Sequence, residues 1–484
     1  MDSIMQVDIR TWIYAFAAIY LAVEVVFCIA FFAYMIPRAN RILEPLPYRD
    51  YNRERCRLLL RILKRIEESC EITKKDVKKT IVRFLSEWFH VTRNPSFGPE
   101  ASSEFPGLSP SQSMSPESSD YDDDDDDEIS SDETICLYKE DIDEFFAWAF
   151  FGKAHSSLLR WESVELRRIY KELKKRHNLT FPSSKPTERE IRYHRKPRCM
   201  TLEPLNALYR PLVVYLMVYG MKILGAIFLY SQGFSRCVSK SGLVAWHRPA
   251  ANPSNSFLPL LFFHGIAPGG FTLYLPMILY GLAIEKDRPV FLFENRAISC
   301  AIDFSPLTEQ QTVEGVIEIL ERFDSLQSEL SLVGHSFGSC TVTWLLASKR
   351  LPNLKQVVLL DPVSILLSEP DVMVNFLYTR EMDKIRMVAS SELFIEYYLR
   401  RHFAWYNSEL WLEDINCEFL VCLAETDKII NARKVKEEIQ RHSSNDDFIF
   451  WENVGHGDCI ASPEKWKQIK EKMLEQELKI VKKR

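Results

Sequence analysis

Residues 331–340 read SLVGHSFGSC, and within them Gly334-His335-Ser336-Phe337-Gly338 forms a G-x-S-x-G pentad. It stands between an apolar run, ELSLV (329–333), and a helical pattern, TVTWLLASKR (341–350). Glycines on both sides of a serine allow a strand to turn sharply into a helix, so that the hydroxyl stands clear at the carboxyl edge of a sheet. Five residues alone match by chance; a strand before them and a helix after them give the match weight. Ser336 becomes a nucleophile only if the rest of the chain supplies a base, an acid and donors for an oxyanion.

Working outward, short β-rich runs alternate with helical ones from about residue 240 onward. They are GLVAWH, LPLLFF (258–263), PVFLF (289–293), ELSLV, LKQVVLL (354–360), EFLVCLA (418–424) and FIFWENV (448–454). Several are apolar without alternation, as strands covered on both faces of a parallel sheet must be. The layer pattern predicts an α/β fold.

The remaining chemistry falls at the ends of these runs. HGIAPGG (264–270) follows LPLLFF, and its tight turn can aim backbone N–H groups at an oxyanion. The expected donors are the amides of Ile266 and Phe337, supported by His264 and Gly265. His456 lies in VGHGDC just after the last run, flanked by glycines, and is the expected base. Two aspartates compete for the acid. Asp427, in AETDKII after EFLVCLA, completes the chain order Ser, Asp, His; Asp361, in LLDPV, also follows a strand and is the alternative.

HGIAPGG, GHSFG, AETDKII and VGHG, in that order, resemble the α/β-hydrolase fold superfamily, most nearly its membrane-anchored members in lower eukaryotes. The resemblance covers residues 240–484, with weaker likeness in the WFH and AWAFFG segments. It implies a mostly parallel eight-stranded sheet with a helical cap, and serine-hydrolase chemistry on esters or amides with nucleophile Ser336, acid Asp427 and base His456. A serine at the elbow departs from the branches that use aspartate there. His442 and Asp447 match the H-x-x-x-x-D spacing of some acyltransferases, but they lie away from the base and are taken as coincidence.

The slot between Asp361 and EFLVCLA is where that fold carries its cap, here about 363–413. Phe394, Tyr397, Tyr398, Trp405 and Trp411 are candidates to line an acyl channel, or else to pack the cap onto the core. Each buried CH₂ of an acyl chain gains about 0.8 kcal/mol, so an apolar channel selects lipids.

The N-terminal half points to a membrane. Residues 11–36 form an apolar run broken only by Glu24, long enough to cross a hydrocarbon core of about 30 Å. It exceeds the apolar core of a cleaved signal and lacks a basic lead-in. Arg38, Arg41, Arg49, Arg53, Arg55 and Arg57 follow it while Arg10 alone precedes it, which predicts a cytoplasmic downstream side. Residues 37–100 have helical periodicity, including Leu59, Ile62, Leu63 and Ile66. Residues 101–134 hold ten Ser, eight Asp and no Lys or Arg, a composition that predicts a disordered acidic linker. Ser109 and Ser115 precede proline there, which makes kinases possible partners. Residues 135–211 resume the helical pattern.

A second apolar run, 212–230, carries Lys222 near its centre. It either spans or lies in the interface with Lys222 snorkelling to the headgroups; the sole N-x-S/T sequon, at Asn178, precedes it, so nothing after it argues for a lumen. An intracellular membrane such as the endoplasmic reticulum is the expected location.

The net charge of −6 and the scattered basic residues argue against nucleic acid as partner. Eleven cysteines without a C-x-x-C pair read as reduced, and no metal or cofactor is expected. Three readings remain: a membrane-bound serine hydrolase of a lipid or other apolar ester, an acyltransferase with the same triad and an alcohol acceptor, and a non-catalytic membrane scaffold with the same fold.

Overall fold

The structure is a computed structural model that describes residues 9–45, 54–93, 137–183, 193–252, 257–379, 386–442 and 447–482. The expected acidic linker, 101–134, with Ser109 and Ser115, lies outside the described residues. Two compact units result.

One unit comprises 44–203 and 368–370. Its helices Glu54–Thr73, Val77–Glu87, Lys139–Phe151 and Arg160–His177 bury Leu63, Ile81, Phe146 and Ile169. The helical periodicity expected to run through FLSEWFH instead stops at Glu87. Phe89–Arg93 is a strand, paired antiparallel with Tyr193–Pro197, which falls in turn within the stretch read as helical. The reason is visible in FHVTR, where apolar Phe89 and Val91 alternate with polar His90 and Thr92 and two of the five residues are β-branched.

The other unit comprises 1–43, 204–367 and 371–484 and holds an eight-stranded sheet. Its strands are β1 (Ser235–Val238), β2 (Val244–Arg248), β3 (Leu260–Phe263), β4 (Val290–Glu294), β5 (Leu330–His335), β6 (Leu354–Leu360), β7 (Glu418–Ala424) and β8 (Phe448–Trp451). The spatial order is β8-β7-β6-β5-β3-β4-β2-β1. Pairings from β4 through β8 are parallel, whereas β2 runs antiparallel to both β1 and β4. β1 precedes the expected domain boundary at 240. Its sequence, SRCV, is an exposed edge strand with one buried residue, and so carries little apolar signal.

Register fixes where the chain leaves the sheet. Phe263 lies opposite Gly334, His335 opposite Leu360, Leu360 opposite Cys422 and Ala424 opposite Trp451. The loops after β3, β5, β6, β7 and β8 therefore all open at one edge.

The C-terminal helix Pro463–Lys482 covers one face of the sheet, burying Ile469 and Met473 in the main core. Arg288, 1% exposed, pairs with its Glu477, and Gln356 of β6 bonds its Met473 carbonyl.

Two helices of this unit are long and apolar enough to cross a membrane, Trp12–Ala39 and Leu212–Ser231. The second buries Tyr215, Val218, Gly225 and Leu229, a single stripe at three- and four-residue spacing. It thus lies against the unit along its length rather than standing free. Lys222, on the same stripe, does not reach outward: its Nζ meets Glu294 Oε1, at the end of β4, at 2.5 Å. The charge that suggested snorkelling is met by a carboxylate from the sheet.

Candidate active site

The turn after β5 is built as the pentad demands. Ser336 has φ +50°, a left-handed conformation that costs a non-glycine residue of order 1–3 kcal/mol. Three bonds hold it there. The Ser336 amide donates to Leu360 O (2.8 Å), and Ser336 O accepts from the Ser339 amide (3.0 Å) and the Ser339 hydroxyl (2.6 Å). The glycines are steric necessities: a Cβ on Gly338 would stand 2.1 Å from Phe263 O, and one on Gly334 would meet Gly338 C at 2.9 Å. The helix Gly338–Ser348 starts immediately after.

Ser336 Oγ lies 2.9 Å from His456 Nε2, and His456 Nδ1 lies 2.5 Å from Asp427 Oδ2. The other Asp427 oxygen accepts from the amides of Ile429 (2.7 Å) and Ile430 (3.0 Å), which fixes the carboxylate. Burial opposes protonation of His456, yet the charge and hydrogen bond of Asp427 outweigh it and raise its pKa above the ordinary 6.5.

A β-sheet whose order is β8-β7-β6-β5-β3-β4-β2-β1, with a left-handed serine after β5 in reach of a histidine after β8, decides the architecture. The chain has the α/β-hydrolase fold. The sequence matches no family profile and no curated protein. Solved structures similar to the chain include a naproxen esterase from Bacillus subtilis, 12% identical, with a TM-score of 0.37 over 54% of this chain and 96% of the esterase. A thermophilic esterase from Thermogutta terrifontis is 14% identical, with a TM-score of 0.36 over 50% of this chain and 98% of its own. A bacterial membrane phospholipase A is 16% identical, with a TM-score of 0.37 over 55% of this chain and 97% of its own. The fold assignment stands on the strand order and the elbow of the chain itself.

Asp361 reaches the same α/β-hydrolase edge by a different route. It is fully buried with φ +43°. Its Oδ1 accepts from the Ala424 amide at 3.0 Å and its Oδ2 from the Gly457 amide at 2.9 Å. It therefore joins the end of β7 to the residue after His456, while Asp427 takes the imidazole. Burial, with Asp427 nearby, pushes the Asp361 pKa up to about 6, against the pull of His456 and the two amides.

The loop after β3 carries one expected oxyanion donor, Ile266, with His264 and Gly265, while the other, Phe337, stands at the start of the helix after β5. Asn295 N donates to His264 Nε2 (3.0 Å), so Nδ1 holds the hydrogen and donates to Gly265 O (2.7 Å). Burial lowers the His264 pKa to about 4, keeping it neutral in this role. The Gly265 amide is spent on Tyr274 Oη at 3.0 Å. Ile266 and Phe337 amides, in contrast, have no hydrogen-bond partner among the described residues.

Two residues of this region were not singled out from sequence. Tyr274 Oη also lies 2.9 Å from His335 Nδ1, tying the β3 loop to the residue before the serine. His335 is buried, and that burial holds its pKa well below the ordinary value. The x positions of G-x-S-x-G carry no motif signal, and Tyr274 sits in an unremarked apolar stretch, so only the fold brings them together. A Cβ on Gly265 would meet His335 Nδ1 and Ser336 Cβ at 2.8 Å, which explains that glycine.

The cap aromatics divide. Tyr398 packs edge-on to Phe337 beside the serine, at 5.7 Å between ring centres, together with Phe403, which the sequence reading did not name. Phe394 and Tyr397 pack instead on Phe304 and, for Phe394, on Tyr215. Trp405 and Trp411 are nine-tenths buried. His442 ends the helix Ala432–His442, its Nδ1 3.0 Å from Glu438 O.

Proposed function

We propose that the chain is a membrane-bound serine hydrolase that cleaves a lipid or other apolar ester through an acyl-enzyme. The observation that carries this reading is the continuous contact from Ser336 Oγ to His456 Nε2 and from His456 Nδ1 to Asp427. Neutral His456 takes the Ser336 proton as Oγ bonds to the ester carbonyl carbon. The carbonyl oxygen becomes an oxyanion and receives the free amides of Ile266 and Phe337. Collapse expels the alcohol, which takes the proton from His456, and leaves the acyl group on Ser336. Water, deprotonated by His456, then attacks the acyl carbon; its proton returns to Ser336 as the acid leaves. Asp427 holds the Nδ1 hydrogen and stabilises the imidazolium in both halves. Each step balances without metal or cofactor.

Membrane attachment is supported by Trp12–Ala39, whose residues from Trp12 to Val26 are exposed except for half-buried Glu24. An apolar ester is supported by the aromatic wall of Phe337, Tyr398 and Phe403.

The test is labelling of membranes carrying the chain with a fluorophosphonate probe, wild type against Ser336→Ala. Labelling of the wild type alone, followed by release of acid from a p-nitrophenyl ester, is the expected result. A wild type that stays unlabelled beside labelled control hydrolases sinks the hydrolase reading in favour of a scaffold. Acyl transfer to an added alcohol in preference to water makes the chain an acyltransferase.

A further inference from the structure

The cap over Ser336 rests on the apolar helices. Its helix Leu393–Arg401 supplies Tyr398 to the wall beside the serine. The same helix places Leu393, Phe394 and Tyr397 in a buried cluster with Phe27, Phe31 and Ala39 of the first apolar helix and Tyr215 of the second. Polar contacts fasten this seat. Tyr215 Oη donates to Glu392 Oε1 at 2.8 Å, while Glu392 Oε2 caps the cap helix through the amides of Phe394 (3.0 Å) and Ile395 (2.9 Å). Arg401 Nε donates to Ala39 O at 3.2 Å. Glu24 accepts from the Leu212 amide (3.0 Å) and the Tyr209 hydroxyl, so a carboxylate of the first apolar helix caps the start of the second.

The opposite wall is seated in the same way. The amides of Ala267 and Gly269, in the loop that carries Ile266, donate to Ile298 O (3.0 Å) and Ser299 O (3.1 Å). That turn leads into Ile302 and Phe304, which pack on the same cluster. Gly225 of the second apolar helix lies so close that a Cβ there would stand 2.8 Å from Thr272 Cγ2. A tether needs none of these contacts. The outer face of the second helix meanwhile exposes Leu216, Ile223, Leu224 and Ile227, and Tyr280 and Ile284 of the sheet unit are exposed as well. Bare apolar side chains in that number call for a cover, and their continuity with a membrane-length helix commits that cover to lipid.

We infer that the two apolar helices are the outer support of the substrate entrance, so that the site is loaded with esters resident in the bilayer and the first helix sets chain-length preference as well as location. Phe31, Tyr215 and Glu392 are positioning residues that act through the cap. The inference rests on the proposed ester hydrolysis, and the experiment separates the two. The full-length chain is placed in phosphatidylcholine vesicles, and kcat/KM is measured for p-nitrophenyl palmitate dissolved in the bilayer and for p-nitrophenyl acetate in water. Phe31→Ala, Tyr215→Phe and Leu224→Glu are compared with wild type, each also labelled with fluorophosphonate.

The expected result is that the palmitate-to-acetate ratio falls on the order of tenfold in Phe31→Ala, because displacement of a substrate-positioning wall by about 1 Å has effects of this size or larger. Tyr215→Phe, which removes one hydroxyl and so preserves the fold, lowers the ratio in the same direction. Leu224→Glu, which alters the lipid face alone, also lowers it. Labelling at Ser336 persists throughout. Unchanged ratios in Tyr215→Phe and Leu224→Glu, with wild type labelled, overturn the inference and leave the hydrolase reading standing. An unlabelled wild type overturns both.

Discussion

The loops after β6 and β7 both end a buried parallel strand on an aspartate at the active edge, and they use it differently. Asp427 has one oxygen on His456 and the other on two amides of its own loop. Asp361 has both oxygens on amides of other elements, Ala424 and Gly457. One carboxylate is oriented by local backbone and aimed at the imidazole; the other serves as a tie between the end of the strand that leads to Asp427 and the loop that carries His456. Position at a strand end therefore does not decide which aspartate meets the imidazole. What decides it is which oxygens are left after the backbone has been satisfied.

Asparagine at each position breaks this comparison most directly. Asp427→Asn should keep the chain folded and lower kcat on a common ester by on the order of 10⁴, because the amide stabilises the wrong imidazole tautomer and carries no charge to offset the imidazolium. Asp361→Asn keeps one acceptor and loses the other, so the Gly457 or the Ala424 amide goes unpaired. A loss of roughly tenfold is expected from the displaced His456 loop, since one unmade buried hydrogen bond costs about 1–3 kcal/mol. Steady-state rates of the two variants side by side are the measurement, and the reverse ranking transfers the acid role to Asp361.

The smallest effect lies in the pH profile. His456 must be neutral to accept the Ser336 proton, and Asp427 raises its pKa above 6.5. The acid limb of kcat/KM should therefore have its midpoint above 6.5, with activity lost as pH falls through it. In Asp427→Asn the strongest upward influence on the imidazole is gone and burial is opposed only by the weaker pull of Asp361 and Asp458, so the residual activity should show that midpoint moved to lower pH. A midpoint that stays in place means the limb belongs to another group, with Asp361, raised to about 6, the first to examine.

The parts of this site that sequence made legible are those whose local chemistry is demanding. Gly334 and Gly338 have no steric alternative, and β6 and β7 carry unbroken buried apolar runs, Val357–Leu360 and Leu420–Ala424, because both faces are covered. These features located the elbow serine and the strand ends. Contacts made only by the fold were illegible. Tyr274, bound to Gly265 and His335, has no local signature, and β1 has too few buried residues to announce a strand. The choice between Asp361 and Asp427 fell in between, since chain order favours one but side-chain bonding is a tertiary matter. Lys222 shows the same limit: a cation in an apolar run suggests the headgroups until Glu294 is brought beside it.

The bond from Arg401 to the carbonyl of Ala39 joins residues separated by 362 positions. A ribosome adding about 5–20 residues per second makes the second partner roughly 20 to 70 s after the first. Throughout that interval Phe27, Phe31 and Ala39 have no cap helix to cover them, and they cannot reach their final packing however fast the chain collapses. The first apolar helix is thus complete long before the helix Leu393–Arg401 that packs against it exists, and the order of synthesis leaves its inward face to wait for a cover made near the other end of the chain.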